Sequence, residues 1–374
     1  MNVDMRENRP WIVIVGGFLG SGKTSLILAA SRVLEQRGLR CAVILNDQGD
    51  ELVDTRHAHA LGVLAREVTG GCFCCRLSGL MSVLDELRVL SPDVIFAEPV
   101  GSCTDISATV FGPLREGFEE YRVAPFTVLA DPARAASLLS ENAESDLAFL
   151  FQKQLQEADL VCLSKSDLYP DTTSIFRAAA GIADQPMRSL SAKTRQGVQE
   201  WLDEIMFGTY EAGGTTLEID YARYARAEAS LAWLNLSFTL EPAIAISPAL
   251  AVGPFLDALD DALTATAIAI VHLKIFDRCS TGWLKAAMCA NGEEPRVEGN
   301  LDASPASRHE LLVNLRATGE PARVRQVVEE QLQQLQGRVL DARLDCFSPA
   351  APRPERRVVR QRLWRVAAPG PIST

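Results

Sequence analysis

Val13-Ile14-Val15-Gly16-Gly17-Phe18-Leu19-Gly20-Ser21-Gly22-Lys23-Thr24 decides how this chain is read. An apolar run leads into a glycine-rich turn and then into a helix-like stretch from Ser25 to Gln36, the order strand, loop, helix. Gly17 to Thr24 spells G-x-x-x-x-G-K-[ST], a P-loop. Gly17, Gly20 and Gly22 let backbone N–H groups approach phosphate oxygens, with Ser21 and Ser25 in the same cradle. Lys23 reaches the β- and γ-phosphates, and the Thr24 hydroxyl binds Mg²⁺. The helix N-terminus adds partial positive charge. Nucleotide binding is the expectation.

Working outward, 374 residues exceed what one core supports, so two domains are expected. The divisions read as a P-loop domain over 1–210, a linker over 211–224, a second domain over 225–350 and an Arg/Pro-rich tail over 351–374. The 47% hydrophobic and 23% charged content is ordinary for a globular protein. No apolar run approaches the roughly 20 residues that span a bilayer. Residues 1–9 lack the apolar core of a signal peptide, so a cytoplasmic chain is expected. The formal net charge of -11 argues against a general nucleic-acid binder. Arg353, Arg356, Arg357, Arg360, Arg362 and Arg365 are a local exception, read either as a solvated tail or edge strand or as a site for an anionic partner. The nine cysteines read as thiols or ligands. Cys41, Cys162 and Cys346 lie in apolar runs as small buried hydrophobes.

Arg40 to Asn46 predicts a second buried strand, ending in the polar segment Asn46 to Glu51, which includes Asp50. Ligands collect at the carboxyl ends of such strands. Asp47 therefore reads either as a Mg²⁺ or metal contact or as a turn or helix-cap aspartate. Cys72, Cys74 and Cys75 follow on a glycine-bearing loop before a helix over 77–90. This Cys-x-Cys-Cys cluster offers three soft ligands to one ion with a position for a fourth donor, or else a set of reactive thiols. His57 and His59 read as metal partners in one nucleotide state or as an exposed helix face.

Asp93 to Ala97 predicts another buried strand, ending in Glu98-Pro99-Val100-Gly101. An acid beside a glycine there suits a γ-phosphate sensor, with Glu98 on Mg²⁺ or its water and the Gly101 N–H at phosphate. After a strand over 125–130, the next strand delivers Ser164-Lys165-Ser166-Asp167. Asp167 can accept from guanine N1–H and its 2-amino group, a donor pair adenine lacks, while Lys165 packs along the base. The alternative is an aspartate in a post-strand turn. Ser191-Ala192-Lys193 ends the strand after that, and the Ala192 backbone could read guanine O6.

In this order the motifs resemble the CobW/HypB/UreG class of metal-handling GTPases, and Gly71 to Cys75 resembles its CobW branch. The resemblance implies an α/β P-loop NTPase parallel sheet with helices on both faces, followed by a smaller α+β domain. It further implies a GTPase using GTP and Mg²⁺, binding Zn²⁺, or Co²⁺ or Ni²⁺, at the thiols and serving as a metallochaperone or metal-centre maturation factor. Slow intrinsic turnover is expected, because no glutamine or arginine finger is evident. The implied partner is a client metalloprotein or cofactor-assembly protein, and a homodimer is compatible with it. Two positions depart from the family. Ser164 replaces the asparagine whose amide braces the P-loop, and Asp47 is one methylene shorter than the usual glutamate. A regulatory or assembly GTPase with a structural zinc is the competing reading.

Gly208 to Asp220 reads as a linker. Beyond it the spacing predicts strands over 231–240, 267–276, 283–290, 310–317 and 339–346 and helices over 248–263 and 321–335, an α+β sandwich of split βαβ character. His272 and His309 are isolated and read as structural histidines.

Overall fold

The computed structural model describes residues 9–49, 51–117, 120–140 and 145–359. Residues 1–8, Asp50, Arg360, Arg362 and Arg365 lie outside them. The first sheet comprises β1 (Trp11–Gly17), β2 (Cys41–Asn46), β3 (Leu64–Val68), β4 (Val94–Glu98), β5 (Arg122–Val123), β6 (Thr127–Ala130), β7 (Leu160–Leu163) and β8 (Met187–Ser189). Its order is β3-β2-β4-β1-β6-β7-β8, with β5 beside β1, and every pairing is parallel. The direction of winding reverses at β1. The P-loop therefore stands at the switch point where α/β sheets bind ligands.

The helices of this part are α1 (Lys23–Gln36), α2 (Val53–Ala60), α3 (Leu77–Val89), α4 (Gly112–Gly117), α5 (Pro132–Leu138), α6 (Asp146–Glu157), α7 (Thr173–Ala180), α8 (Val198–Phe207) and α9 (Tyr221–Ala229). A five-residue π-helix, Ser107–Phe111, precedes α4. Alternation along β1 divides the core between two faces. Ile12 and Ile14 pack with Leu80 and Leu84 of α3 and Leu150 of α6, whereas Val13 and Val15 pack with Leu26 and Ile27 of α1 and Trp201 of α8. Burial on both faces explains why β1, β2 and β4 read as near-continuous apolar runs.

The second sheet comprises β9 (Leu231–Glu241), β10 (Ile270–Cys279), β11 (Gly282–Met288), β12 (Arg296–Gly299), β13 (His309–Thr318) and β14 (Arg338–Phe347), in the order β12-β11-β10-β13-β9-β14. All neighbours are antiparallel. Strand β13 lies between β9 and β10, which α10 (Pro248–Ala265) connects, and β9 lies between β13 and β14, which α11 (Pro321–Gln333) connects. The result is two interlocked split βαβ units. Ser247 accepts from Leu250 N to cap α10, and proline opens both helices. Both helices cover the same face through Leu256, Leu259, Val324 and Val328. The opposite face meets the first sheet's ligand-binding end.

The stretch before α9 has no helix or strand, yet it is pinned to the first domain: Gly214 N donates to Asp159 at 2.9 Å and Arg115 donates to Gly213 O at 3.0 Å. Helix α9 begins inside the expected linker, and its Tyr224 is fully buried in the first domain's core together with Trp233 of β9. Within the described part of the C-terminal arginine cluster, Arg356 and Arg357 are tied down by carboxylates. Arg357 pairs with buried Asp105 at 2.7 Å and Arg356 with Glu116 at 2.5 Å, because the chain returns across α3 and the π-helix. Among the described residues no helix is long and apolar enough to cross a membrane.

Candidate functional site

The P-loop leaves β1 at Gly17, whose φ of 134° suits glycine and whose absent Cβ would lie 2.4 Å from Leu129 O. Lys23 opens α1 and folds back, donating to Gly17 O at 2.9 Å and Phe18 O at 3.4 Å. Burial depresses its pKa; Glu98 opposes this and Lys274 reinforces it. Thr24 Oγ1 donates to Glu98 Oε2 at 2.8 Å, so the hydroxyl and carboxylate read as Mg²⁺ contacts stand side by side. Burial raises the Glu98 pKa, which makes this carboxylate receptive to a cation. Ser21 Oγ is buried in the loop with no protein partner, which fits a cradle for phosphate oxygens. Gly101 brings the loop after β4 onto the P-loop, since a Cβ there would lie 3.0 Å from Leu19 N.

On the other side of β1, Asp167 Oδ1 accepts from Ser191 Oγ at 2.6 Å, and Thr194 N donates to Ser191 Oγ at 3.1 Å. The two segments read as guanine contacts are thus neighbours, although Ser191, Ala192 and Lys193 follow β8 rather than end it. Lys165 is paired with Asp131, which also accepts from Ala133 N to cap α5. Ser164 Oγ lies 3.4 Å from Ala130 O, joining the ends of β7 and β6.

The cysteine loop is set by Asn46, the last residue of β2. Its amide donates to Val68 O at 2.8 Å and Gly71 O at 2.7 Å, and its carbonyl accepts from Phe73 N at 2.8 Å. Three sulfurs converge within 4.8 Å of one another: those of Cys72, Cys74 and Cys103, all buried. Cys103 comes from the loop that carries Glu98 and Gly101. Cys75 stands beside this trio, 3.7 Å from Cys74, and accepts from Arg353 N at 3.1 Å. Cys103, followed by Cys74 and Cys75, pulls the Cys72 pKa well below the thiol range, while protons shared first with Cys103 and then with Cys72 hold Cys74 above it and burial holds Cys103 above it. One thiolate among thiols is a soft donor set suited to a transition ion.

Cys103 was visible as a cysteine two residues beyond Gly101, but its separation of about 30 residues from the other thiols hid the cluster. Glu228 of α9 was equally hidden. Its Oε1 accepts from Ser102 Oγ at 2.5 Å and from Gln48 Nε2 at 3.3 Å, joining the loops after β4 and β2. Burial, followed by Cys72, pushes its pKa up to about 8.

The second sheet roofs the phosphate end. A cavity of about 110 Å³ is lined by Lys23, Thr24 and Glu98 from below and by His272, Lys274 and Arg316 from above. It falls below the roughly 300–1,000 Å³ of pockets that enclose a whole small ligand. Asp167 lies outside its lining. Asp47 is drawn into this roof: its Oδ1 accepts from Arg316 Nη2 at 2.7 Å and from Gly49 N at 3.0 Å, away from the converging sulfurs. Asn314 accepts from Val53 N at 2.8 Å and holds the start of α2. His57 does not lie on an exposed face. It is buried against Trp283 and 3.2 Å from Lys285, and burial, followed by Lys285, lowers its pKa to about 3. His59 contacts Ala65 O at 3.3 Å, so neither histidine reaches the thiols. His309 is satisfied by Asp277, Ile246 O and Ala306 O, as expected of a structural histidine.

Residues 11–188 match the nucleotide-binding domain described as CobW/HypB/UreG. The zinc chaperone YjiA of Escherichia coli K12 is 27% identical over 177 residues, 46% of this chain and 54% of that protein. The zinc chaperone YeiR of the same organism is 31% identical over 159 residues, 41% of this chain and 46% of that protein. The chain thus spans about half the length of the curated relatives it matches. The crystal structure of the Zn(II)-bound YjiA GTPase from E. coli is 15% identical, covers 87% of this chain and 99% of its own, and has a TM-score of 0.34. Residues 11–188, a little under half of the chain, are thus recognised as a CobW/HypB/UreG nucleotide-binding domain.

Proposed function

We propose that the protein is a GTP-binding and GTP-hydrolysing metallochaperone or metal-centre maturation factor whose thiol site is gated by nucleotide state. The observation that carries this reading is the attachment of the thiols to the two segments that would sense phosphate. Asn46, at the end of β2, holds the loop of Cys72 and Cys74, and Cys103 shares the loop of Glu98 and Gly101. A displacement of either segment on hydrolysis would therefore move a sulfur.

In this reading Gly17, Gly20, Ser21, Gly22, Lys23 and Ser25 cradle the phosphates. Thr24 and Glu98 would hold Mg²⁺, which neutralises phosphate charge when bound. Asp167 and Lys165, with Ser191, Ala192 and Lys193, take the guanine. Water attacks the γ-phosphate, giving GDP and phosphate. Cys72, Cys74 and Cys103 hold the cargo, Zn²⁺ or a similar ion, and Cys75 offers an outer thiol for exchange with a client metalloprotein. The nine free cysteines suit a reducing, cytoplasmic setting.

Binding of Zn²⁺ or Co²⁺ measured with a non-hydrolysable GTP analogue and with GDP tests the gating. The two affinities should differ by about fivefold or more, the usual scale of coupled sites. Equal affinities contradict gating. A second reading, a regulatory GTPase with a structural zinc, draws support from the burial of Cys72, Cys74 and Cys103. An ion that stays bound through repeated GTP turnover decides for it.

A further inference from the structure

Lys274 of β10 and Lys285 of β11 project from the sheet face that meets the P-loop, and one carboxylate, Asp54 of α2, stands between them. Asp54 contacts Lys274 directly through Oδ2. Its Oδ1 lies 3.7 Å from Lys285 and accepts no hydrogen bond. Lys285 has further neighbours, His57 Nδ1 at 3.2 Å and Glu298 at 3.9 Å. Among the described residues, the one ion pair of Lys274 is with Asp54.

Even with Glu298 counted, the cavity lining carries six lysine and arginine side chains against five carboxylates, a surplus positive charge that is costly unless an anion reaches it. The same lining includes Lys23, Thr24 and Glu98. The sheet is held firmly over this point. Arg134 of α5 donates to Val271 O at 2.8 Å and Cys289 O at 2.7 Å, and Cys289 Sγ lies 2.5 Å from where a Cβ on Gly20 would stand. The P-loop glycine is thus packed directly under the second sheet.

We infer that Lys274 is a phosphate ligand supplied by the C-terminal sheet, pairing with Asp54 in the absence of a terminal phosphate and moving to the γ-phosphate of a bound nucleoside triphosphate. The inference rests on reading the P-loop cavity as a triphosphate site. The exchange makes and breaks only charge-assisted hydrogen bonds, and Lys285 remains to neutralise Asp54. Lys274 then opposes charge on the transferring phosphoryl group, the work an arginine finger does in other P-loop enzymes. Loss of the γ-phosphate returns it to Asp54, so nucleotide state sets the contact between α2 and β10.

The test uses the full chain with Mg²⁺, a fluorescent non-hydrolysable GTP analogue and fluorescent GDP. Lys274→Gln should weaken the analogue about tenfold or more, the loss expected for one charged hydrogen bond, and leave GDP within about twofold. Lys274→Arg should retain most of the analogue affinity. Asp54→Asn, which removes the competitor for the ammonium, should tighten the analogue. Equal weakening of both nucleotides by Lys274→Gln, or no weakening, overturns the inference and leaves the site reading intact. A wild-type chain that binds neither nucleotide overturns both. Should Lys274→Gln fail to fold, Asp54→Asn decides, and analogue binding no tighter than wild type contradicts the inference.

Discussion

Asn46 accepts the Phe73 N–H at 2.8 Å, so the last residue of β2 holds the middle of the cysteine loop. With its donations to Val68 O and Gly71 O, this one amide satisfies the last carbonyl of β3 and two backbone groups of a loop that has no helix or strand of its own. Asn46→Ala should cost about 1–3 kcal/mol of stability, the penalty for leaving buried polar groups unpaired. It should also lower Co²⁺ affinity about tenfold. Urea unfolding and a Co²⁺ titration followed by thiolate absorption check both, and an unchanged titration would show that the loop holds its shape without β2.

Asp167 offers a carboxylate already oriented by Ser191 Oγ at 2.6 Å. Asp167→Asn presents a donor amide where guanine also presents donors. Two charged hydrogen bonds at about 1.5–3 kcal/mol each are at stake, so the preference for GTP over ATP should fall about 100-fold or more. Competition of GTP and ATP against fluorescent GDP measures it. A retained preference would refute the guanine assignment.

Glu355 caps α3 from a distant part of the chain: its carboxylate accepts from Ser78 N at 2.8 Å and Ser78 Oγ at 2.9 Å, and its own N–H donates to Cys74 O at 3.0 Å. A carboxylate at a helix N-terminus is favourable, and losing a cap costs about 1 kcal/mol. Glu355→Ala should loosen the segment over Cys75 and speed its reaction with a thiol reagent several-fold. An unchanged rate would mean that Val358 and Arg357 alone keep that segment seated.

Glu157 is buried beside Asp105 and accepts from Thr104 Oγ1 at 3.1 Å. Burial, followed by Asp105, moves its pKa from 4.5 to about 8. The folded chain therefore holds a proton there that the unfolded chain releases above pH 4.5, and stability from this group is lost as pH rises from 4.5 towards 8, by about 1.4 kcal/mol per unit within that window. Glu157→Gln, which keeps the neutral shape, should flatten the slope of unfolding free energy between pH 5.5 and 8. Parallel slopes for variant and wild type would place the pH dependence elsewhere.

Much of the first domain was legible because its signals are contiguous. An apolar run with a loop of fixed spacing after it reports strand, turn and helix together, and buried parallel strands such as β2 and β4 need no partner to be recognised. The split βαβ arrangement of the second domain was legible from helix-strand order and from proline at two helix starts. The expected linker was less so, since glycines and threonines resemble a spacer whether or not Asp159 and Arg115 hold them.

Sequence alone determined the P-loop, the acid-to-glycine spacing of Glu98 and Gly101, the Ser164 to Asp167 segment and the close set of Cys72, Cys74 and Cys75, because each depends on neighbours a few residues apart. Only the tertiary structure decided that Cys103 joins Cys72 and Cys74 while Cys75 stands aside, that Asp47 meets Arg316, and that Lys274 hangs over the P-loop. Those pairs are separated by about 30 to 270 positions. The sulfurs meet because the parallel sheet brings the loops after β3 and β4 to one edge, whereas the other two approaches depend on how the second sheet packs on the first, with Tyr224 and Trp233 buried in a shared core that no local pattern encodes.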